Sequence, residues 1–151
     1  MTGTYDEPMG RALELASQAA RDGDVPVGAV VLNADGEIIG EGHNRRELAH
    51  DPTAHAEVLA LRAAALGVGS WRLDGCTLVA TLEPCVMCAG ALLAARVPRL
   101  VLGAWDPKAG ATGSQWDVVR DARVGARVEV ISGVRAAEST ALLTEFFEAR
   151  R

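Results

Sequence analysis

Two short segments of the sequence carry residue types that bind metal ions: His55-Ala56-Glu57 and Pro84-Cys85-Val86-Met87-Cys88. The imidazole of His55 and the thiols of Cys85 and Cys88 are good zinc ligands, whereas Glu57 is a carboxylate that need not bind the metal. A structural zinc ion is normally held by four protein ligands, and a catalytic one keeps a position open for water. Three ligands therefore predict one catalytic Zn²⁺ per chain.

An open position on zinc defines the expected chemistry. Zinc can lower the pKa of a bound water from about 15.7 to about 7, and Glu57 can carry protons between that water and a substrate. Such a site should attack an electron-poor carbon whose leaving group departs once it is protonated. An aromatic carbon with an exocyclic amine fits this description, and its products would be a carbonyl and ammonia.

Other interpretations of the same residues explain less of the pattern. A structural zinc would need a fourth ligand from Cys76, His43 or His50, and Cys76 lies in a predicted strand that is typical of a buried core thiol. A redox CxxC pair would leave the His-x-Glu segment unexplained. Glu83, just before the second segment, is more typical of a cap or an ion-pair partner than of a catalyst.

The composition fits one globular domain over residues 1–151, with 49% hydrophobic and 23% charged residues. Residues 1–10 lack the basic and apolar stretches of a secretory signal, and the sequence has no apolar run long enough for a transmembrane helix. Two of the three cysteines form the CxxC, which is typical of a metal site in a reducing compartment. We expect a soluble, cytoplasmic protein without membrane association.

The net charge of −5 is unevenly distributed along the chain. Residues 1–88 hold 6 arginines and 13 acidic residues, whereas residues 89–151 hold 9 basic and 7 acidic residues. Contacts with a polyanion should therefore favour the C-terminal half. The candidate phosphate contacts are Arg120, Arg123, Arg127, Arg150 and Arg151.

The apolar periodicity alternates between helical and extended patterns along the chain. Five helices are predicted: residues 8–21, residue 51 or 53 to about 66, residues 84–95, residues 116–121, and a C-terminal helix around 142–147. Five strands are predicted: residues 25–32, 37–42, 76–81, 100–104 and 128–131. Strands that alternate with helices predict an α/β layered domain with both faces of the sheet covered.

This arrangement places both metal-binding segments at helix N-termini. His55 and Glu57 fall in the first turn of the second helix, and Cys85 and Cys88 in the first turn of the third. Residues two apart on a helix point about 200° apart, so a shared metal must lie over the helix end. The partial positive charge of helix N-termini favours the thiolate form of the cysteines.

The H-x-E and P-C-x-x-C pair is the signature of zinc-dependent nucleobase deaminases. Longer strings around it, at residues 25–31, 51–57, 81–91 and 106–111, resemble the bacterial tRNA-specific adenosine deaminases of the cytidine and deoxycytidylate deaminase superfamily. The similarity extends over about residues 9–150. It implies a three-layer α/β/α cytidine-deaminase-like fold, with a five-stranded mixed sheet in the order 2-1-3-4-5, and a homodimer with its active sites near the interface.

The same resemblance implies an activity: conversion of the wobble adenosine of a tRNA anticodon stem-loop to inosine. His55, Cys85 and Cys88 would bind zinc and Glu57 would move the protons. The implied substrate contacts are Asn44 to the target nucleotide, Val25 and the Ala56 backbone around the base, Asp106 to the ribose of the flanking uridine, and Phe146 or Phe147 near the anticodon loop.

Two other functions stay open on the same fold. One is deamination of a free nucleobase, a nucleoside or another small heterocycle, and the other is a non-catalytic zinc-binding RNA subunit, which would have no use for Glu57. The chain also departs from the family at Gly125-Ala126, where an Asn-His pair is usual. The departure lies close to the side on which RNA would bind.

Overall fold

A computed structural model describes residues 3–151 of the chain. These residues form four helices and a five-stranded sheet. In chain order the elements are α1 Asp6–Arg21, β1 Gly28–Leu32, β2 Ile38–His43, α2 Ala56–Val68, β3 Thr77–Leu82, α3 Val86–Ala94, β4 Arg99–Ala104, β5 Glu129–Ile131 and α4 Ala136–Glu148.

The strands lie in the order β2-β1-β3-β4-β5, which confirms the predicted sheet order. Strand β1 is antiparallel to both of its neighbours, and β3, β4 and β5 are mutually parallel, so the sheet is mixed. Parallel neighbours need a crossover connection, and α3 supplies it between β3 and β4. The carboxyl end of β3 therefore leads directly into the segment that carries the cysteine pair.

Two apolar cores lie on opposite faces of the sheet, because successive strand residues point to opposite sides. Ala29 and Val31 of β1 belong to the core under α2 and α3. Val30 and Leu32 of the same strand belong to the core under α1. This alternation gives the three-layer α/β/α architecture that the resemblance implies.

Helix α2 lies unusually close to β2 because two strand positions are glycines. A Cβ atom at Gly42 would lie 2.7 Å from the Ala60 nitrogen and 2.9 Å from the Leu59 Cβ. A Cβ atom at Gly40 would meet the α2 backbone at Ala64 in the same way. The absent side chains let the helix rest directly on the strand, which fixes the N-terminus of α2 beside the end of β2.

The second helix begins later than predicted. The sequence places its start at residue 51 or 53, whereas α2 begins at Ala56. Instead of capping a helix, Asp51 closes a turn in which its Oδ1 accepts hydrogen bonds from the Thr53 N–H at 2.8 Å and the Thr53 hydroxyl at 2.7 Å. His55 consequently becomes the N-cap of α2.

The short helix predicted over residues 116–121 is wrong. This segment holds an isolated antiparallel bridge between Thr112 and Asp117 and turns around it. The Val118 N–H donates back to the Ala111 carbonyl at 3.0 Å, so the segment folds against the preceding loop. Within residues 3–151, no helix is both long and apolar enough to cross a lipid bilayer.

Candidate active site

The three predicted zinc ligands meet between the N-termini of α2 and α3. His55 is the N-cap of α2, Cys85 is the N-cap of α3, and Cys88 lies in the first turn of α3. The backbone of both cap residues is extended, with ψ of 151° at His55 and 179° at Cys85. The prediction that the group lies over helix ends is confirmed, although two ligands are caps and not first-turn residues.

The spacing of the ligand atoms fits zinc. Nδ1 of His55 lies 3.6 Å from Sγ of Cys85 and 3.5 Å from Sγ of Cys88, and all three ligand atoms lie within 4.8 Å of one another. Tetrahedral zinc with its usual bond lengths separates a nitrogen and a sulfur ligand by about 3.6 Å. Among residues 3–151, this is the one group of at least three Cys, His, Asp or Glu side chains with metal-binding spacing.

The two thiols differ in acidity because they face each other. A hydrogen bond from Cys88 lowers the pKa of Cys85 to about 4. The same contact, together with burial, raises the pKa of the Cys88 thiol. The hydrogen bond to Cys85 also raises the pKa of His55. One thiolate is thus favoured by the protein alone, and a divalent cation would stabilise the second.

Glu57 is buried beside the ligand group, with 4% of its surface exposed. Burial, with a smaller contribution from the nearby Cys85 thiolate, raises the pKa of its carboxyl to about 7. Zinc would act in the opposite direction because a cation favours the ionised carboxylate. A buried carboxyl group under these two opposing influences can both accept and donate a proton, as a general acid–base catalyst must.

A cavity of about 200 Å³ opens onto the ligand group. It is smaller than the roughly 300 Å³ at which pockets for drug-sized ligands begin, so it suits a single heterocycle. Of the predicted site residues, the structure brings His55, Cys85, Glu57, Asn44, Val25, Ala56 and Asp106 together in its lining. Residue types and spacing do not mark the other lining residues, namely Val27, Arg46, Leu82, Glu83 and Ala109.

Asn44 is buried at the end of β2 and its carboxamide is oriented by the neighbouring backbone. Its Nδ2 donates to the Val25 carbonyl at 3.3 Å, and its Oδ1 accepts the Arg46 N–H at 3.3 Å. A carboxamide has two donor hydrogens and two acceptor positions. One of each remains to bind a molecule in the cavity.

Asp106 lies in the loop that follows β4 and lines the cavity. Its Oδ1 accepts the backbone N–H groups of Lys108 at 3.1 Å and Ala109 at 3.3 Å. These bonds fold the loop back on itself, so that Ala109 also lines the cavity. The second carboxylate oxygen is the one left to contact a ligand.

Phe146 lies outside the cavity lining. It is 7% exposed, and the guanidinium of Arg150 stacks on its ring at 3.5 Å from the centroid. Phe147 packs edge-on against it and is 52% exposed. The substrate contact predicted for Phe146 stays a prediction. Of the two phenylalanine rings, that of Phe147 is the more accessible to solvent.

Two of the candidate phosphate contacts are engaged in ion pairs. Arg120 pairs with Asp117 at 2.8 Å and Arg123 with Asp121 at 2.6 Å, and both arginines are exposed. Exposed pairs of this kind contribute little to stability. Phosphate oxygens could therefore replace the carboxylates at small cost.

Comparison with known proteins identifies the family of the chain. Residues 3–104 match the cytidine and deoxycytidylate deaminase zinc-binding region. The tRNA-specific adenosine deaminase of Haemophilus influenzae is 49% identical over 148 residues, which cover 97% of this chain and 86% of that protein. The enzyme of the same name from Bacillus subtilis is 44% identical over 149 residues, with coverage of 98% and 92%.

A longer protein also contains a similar segment. The tRNA(Ile)-lysidine synthase of Deinococcus radiodurans is 56% identical over 144 residues, which cover 95% of this chain. The chain spans only 25% of the length of that protein.

Solved structures agree with the sequence relatives. A structure from work on A-to-I editing by tRNA:A34 deaminases at the wobble position has a TM-score of 0.87 and 40% identity, covering 91% of this chain and 99% of that one. The guanine deaminase of Nitrosomonas europaea has a TM-score of 0.79 and 32% identity, with coverage of 93% and 83%. The chain therefore belongs to the zinc-dependent cytidine and deoxycytidylate deaminase family and, within it, to the tRNA-specific adenosine deaminases.

Proposed function

We propose that this chain converts the wobble adenosine of a tRNA anticodon loop to inosine and releases ammonia. The observation that carries the proposal is a shared cavity. Ligand residues His55 and Cys85, the buried Glu57 and the polar groups of Asn44 and Asp106 all line it. The similarity to tRNA-specific adenosine deaminases over almost the whole chain supports the choice of substrate.

In this reaction the C6–N bond of adenine breaks, a C6–O bond to water forms, and both protons of the water move to nitrogen, one to N1 and one to the departing amine. When bound by His55, Cys85 and Cys88, Zn²⁺ supplies a Lewis acid that makes water nucleophilic at neutral pH. Glu57 accepts a proton from the attacking water and donates it to ring nitrogen N1. It then takes the remaining hydroxyl proton to the exocyclic amine, which leaves as ammonia. The burial of Glu57 suits both transfers.

The remaining cavity residues would hold the base and its ribose. Val25 and the Ala56 backbone would flank the base, and Asn44 would offer it one donor and one acceptor. Asp106 would contact the ribose of the flanking uridine. A base in an anticodon loop is already unpaired, so extruding it into a cavity requires little energy. Phosphates would be contacted by Arg120, Arg123, Arg127, Arg150 and Arg151. Such contacts make the acidic net charge compatible with an RNA substrate.

A second candidate is deamination of a small heterocycle. The observation that favours it is the fold similarity to the Nitrosomonas europaea guanine deaminase, together with a cavity just large enough for one base. Both functions would use the same ligands and Glu57. They differ in which base edge the cavity must hold and in whether the groups outside the cavity bind RNA.

We further propose that residues 1–151 act as one deaminase domain in a cytoplasmic homodimer. The resemblance to the family supports this assembly, and so does an exposed apolar side chain next to the metal group. Val86, adjacent to ligand Cys85, is 55% exposed. Light scattering coupled to size exclusion should give twice the 15.8 kDa mass of the chain.

The test of the proposed function compares substrates side by side. The purified zinc protein is incubated with an anticodon stem-loop bearing a wobble adenosine, and separately with adenine, adenosine, guanine and cytosine. Inosine in the stem-loop, with no ammonia from the small compounds, is the expected result. Ammonia from a free base and none from the stem-loop would instead establish the second candidate.

A further inference from the structure

Glu83 is a buried carboxylate with no cationic partner. It is 2% exposed, and among residues 3–151 no arginine, lysine or histidine forms a salt bridge with it. Burying a carboxylate without compensation is strongly unfavourable, so its oxygens must accept hydrogen bonds. The sequence suggested a cap or an ion-pair partner for this residue, and the ion pair is absent among residues 3–151.

All side-chain hydrogen bonds to Glu83 come from a single loop, residues 106–114. Oε1 accepts the backbone N–H of Asp106 at 2.8 Å, and Oε2 accepts those of Thr112 at 3.0 Å and Ser114 at 3.1 Å. The hydroxyl of Ser114 also donates to Oε1. Gly110 passes so close that a Cβ atom there would overlap the carboxylate. The carboxylate is thus the centre on which the loop folds.

The same loop forms part of the cavity wall. Asp106 and Ala109 line the cavity, and the Ala111 N–H donates to the Pro84 carbonyl at 2.9 Å. Glu83 lies two residues before ligand Cys85. We propose that Glu83 is a positioning residue that sets the distance between the substrate-facing loop and the metal-binding end of α3. The inference rests on the proposed function for its substrate.

The substitution Glu83→Gln separates this role from a general loss of folding. A carboxamide has the shape of the carboxylate, but one of its two ends donates hydrogen bonds. The amide oxygen should take the Oε2 position, where it keeps the bonds from Thr112 and Ser114. The amide nitrogen then takes the Oε1 position and faces the N–H of Asp106, where two donors meet. The variant should therefore lose the hydrogen bond from the Asp106 N–H and keep those from Thr112 and Ser114.

The experiment measures stem-loop deamination and backbone hydrogen exchange in the same zinc-loaded preparations. In Glu83→Gln we expect KM to rise about 10-fold with kcat changed less than about 3-fold, full zinc content, and faster exchange confined to residues 106–114. Glu7→Gln, an exposed change on α1 beneath the opposite face of the sheet, should alter none of these. A uniform fall in kcat, zinc content and protection, or unchanged KM and exchange, would overturn the proposal.

A second variant keeps the test decisive if Glu83→Gln does not fold. Ser114→Ala removes only an exposed hydroxyl that lies near both Glu83 Oε1 and the Asp106 carbonyl. It should raise KM about 3-fold and speed hydrogen exchange in residues 106–114. Unchanged KM and exchange would contradict the proposal. If the wild-type protein does not deaminate the stem-loop, the proposed function fails, whereas the exchange measurement still tests the role of Glu83.

Discussion

Sγ of Cys88 lies 3.5 Å from Nδ1 of His55, although 33 residues separate them in the chain. The two residues belong to the N-terminal ends of different helices, α2 and α3. A metal bound between them therefore links the two helices as well as supplying chemistry. Stability and metal content should change together when a ligand is removed.

The first prediction concerns Cys88→Ala. Loss of one ligand should lower the zinc content from one ion per chain to below about 0.1, and it should lower Tm because a ligand that binds only the folded state stabilises it. Elemental analysis and calorimetry measure the two quantities. Cys76→Ala is the matched control, since Cys76 is also a buried thiol but lies outside the ligand group. Full zinc content in Cys88→Ala would contradict the assigned ligand set.

The second prediction concerns Glu57→Gln. The amide preserves the shape of the side chain but cannot carry a proton between water and the base. We expect unchanged zinc content and a loss of turnover of about 10² or more, the usual scale for an acid–base group. Turnover on the anticodon stem-loop and zinc content should be measured on one preparation. Activity close to that of the wild type would show that another group moves the protons.

The third prediction is a pH dependence of stability in the metal-free protein. Burial raises the pKa of Glu57 from its ordinary 4.5 to about 7, so between these values the folded state holds a proton that the unfolded state has lost. Its contribution to the free energy of unfolding is therefore full below about pH 4.5 and declines as the pH rises to about 7. The slope from this group is at most about 1.4 kcal/mol per pH unit.

Denaturant titrations at several pH values, on chelator-treated wild type and Glu57→Gln, test whether the free energy of unfolding falls as the pH rises. The wild type should lose stability relative to the variant as the pH rises through this window, because glutamine does not titrate. Comparing the two proteins removes the contributions of His55 and Cys85 that do not depend on the charge of Glu57. A difference that is constant with pH would rule out the raised pKa.

The fourth prediction concerns the glycine contact between β2 and α2. Gly42→Ala places a methyl group 2.7 Å from the Ala60 nitrogen, so α2 must shift away from the strand. Overpacking of this kind destabilises by about 1–3 kcal/mol. Because the shift also moves the helix end that bears His55 and Glu57, turnover should fall with stability.

Gly67→Ala is the matched control for that change. Gly67 lies in the last turn of α2, and its nearest atom to an added Cβ is 3.8 Å away. Replacing a helical glycine by alanine should stabilise by about 0.5–1 kcal/mol. Unfolding midpoints in urea would show opposite signs for the two substitutions. Equal effects would mean that the close approach at Gly42 does not constrain the helix.

The sequence was sufficient to predict the sheet order and the metal site, the first through a family resemblance and the second from residue types. The ligand set was accessible because histidine and paired cysteines are uncommon and chemically distinctive. The start of the second helix could not be predicted in this way. Asp51 has the residue type of a helix cap, but it forms a turn with Thr53 instead. Local propensity does not distinguish these outcomes without the tertiary contacts.

The loop after β4 was the least predictable segment. Its conformation is set by Glu83, which is more than twenty residues away in the chain, so no local pattern could reveal it. Gly125 illustrates a different limit. Its φ of +80° lies in the left-handed region, and asparagine is among the few other residues that enter it readily. Gly125 therefore suits the turn at this position and offers no side chain to a partner.

The fifth prediction separates the two aromatic residues of α4. Phe146 is buried beneath the Arg150 guanidinium, so Phe146→Ala should destabilise the protein by about 3 kcal/mol or more. Phe147 is half-exposed and can stack on an unpaired base, an interaction worth about 1–3 kcal/mol. Phe147→Ala should therefore leave the unfolding midpoint nearly unchanged and raise the Kd for the anticodon stem-loop at least 5-fold. Binding titrations at fixed salt measure this change. If Phe147→Ala binds RNA normally and only Phe146→Ala loses stability, α4 is a structural element and the RNA contacts lie elsewhere.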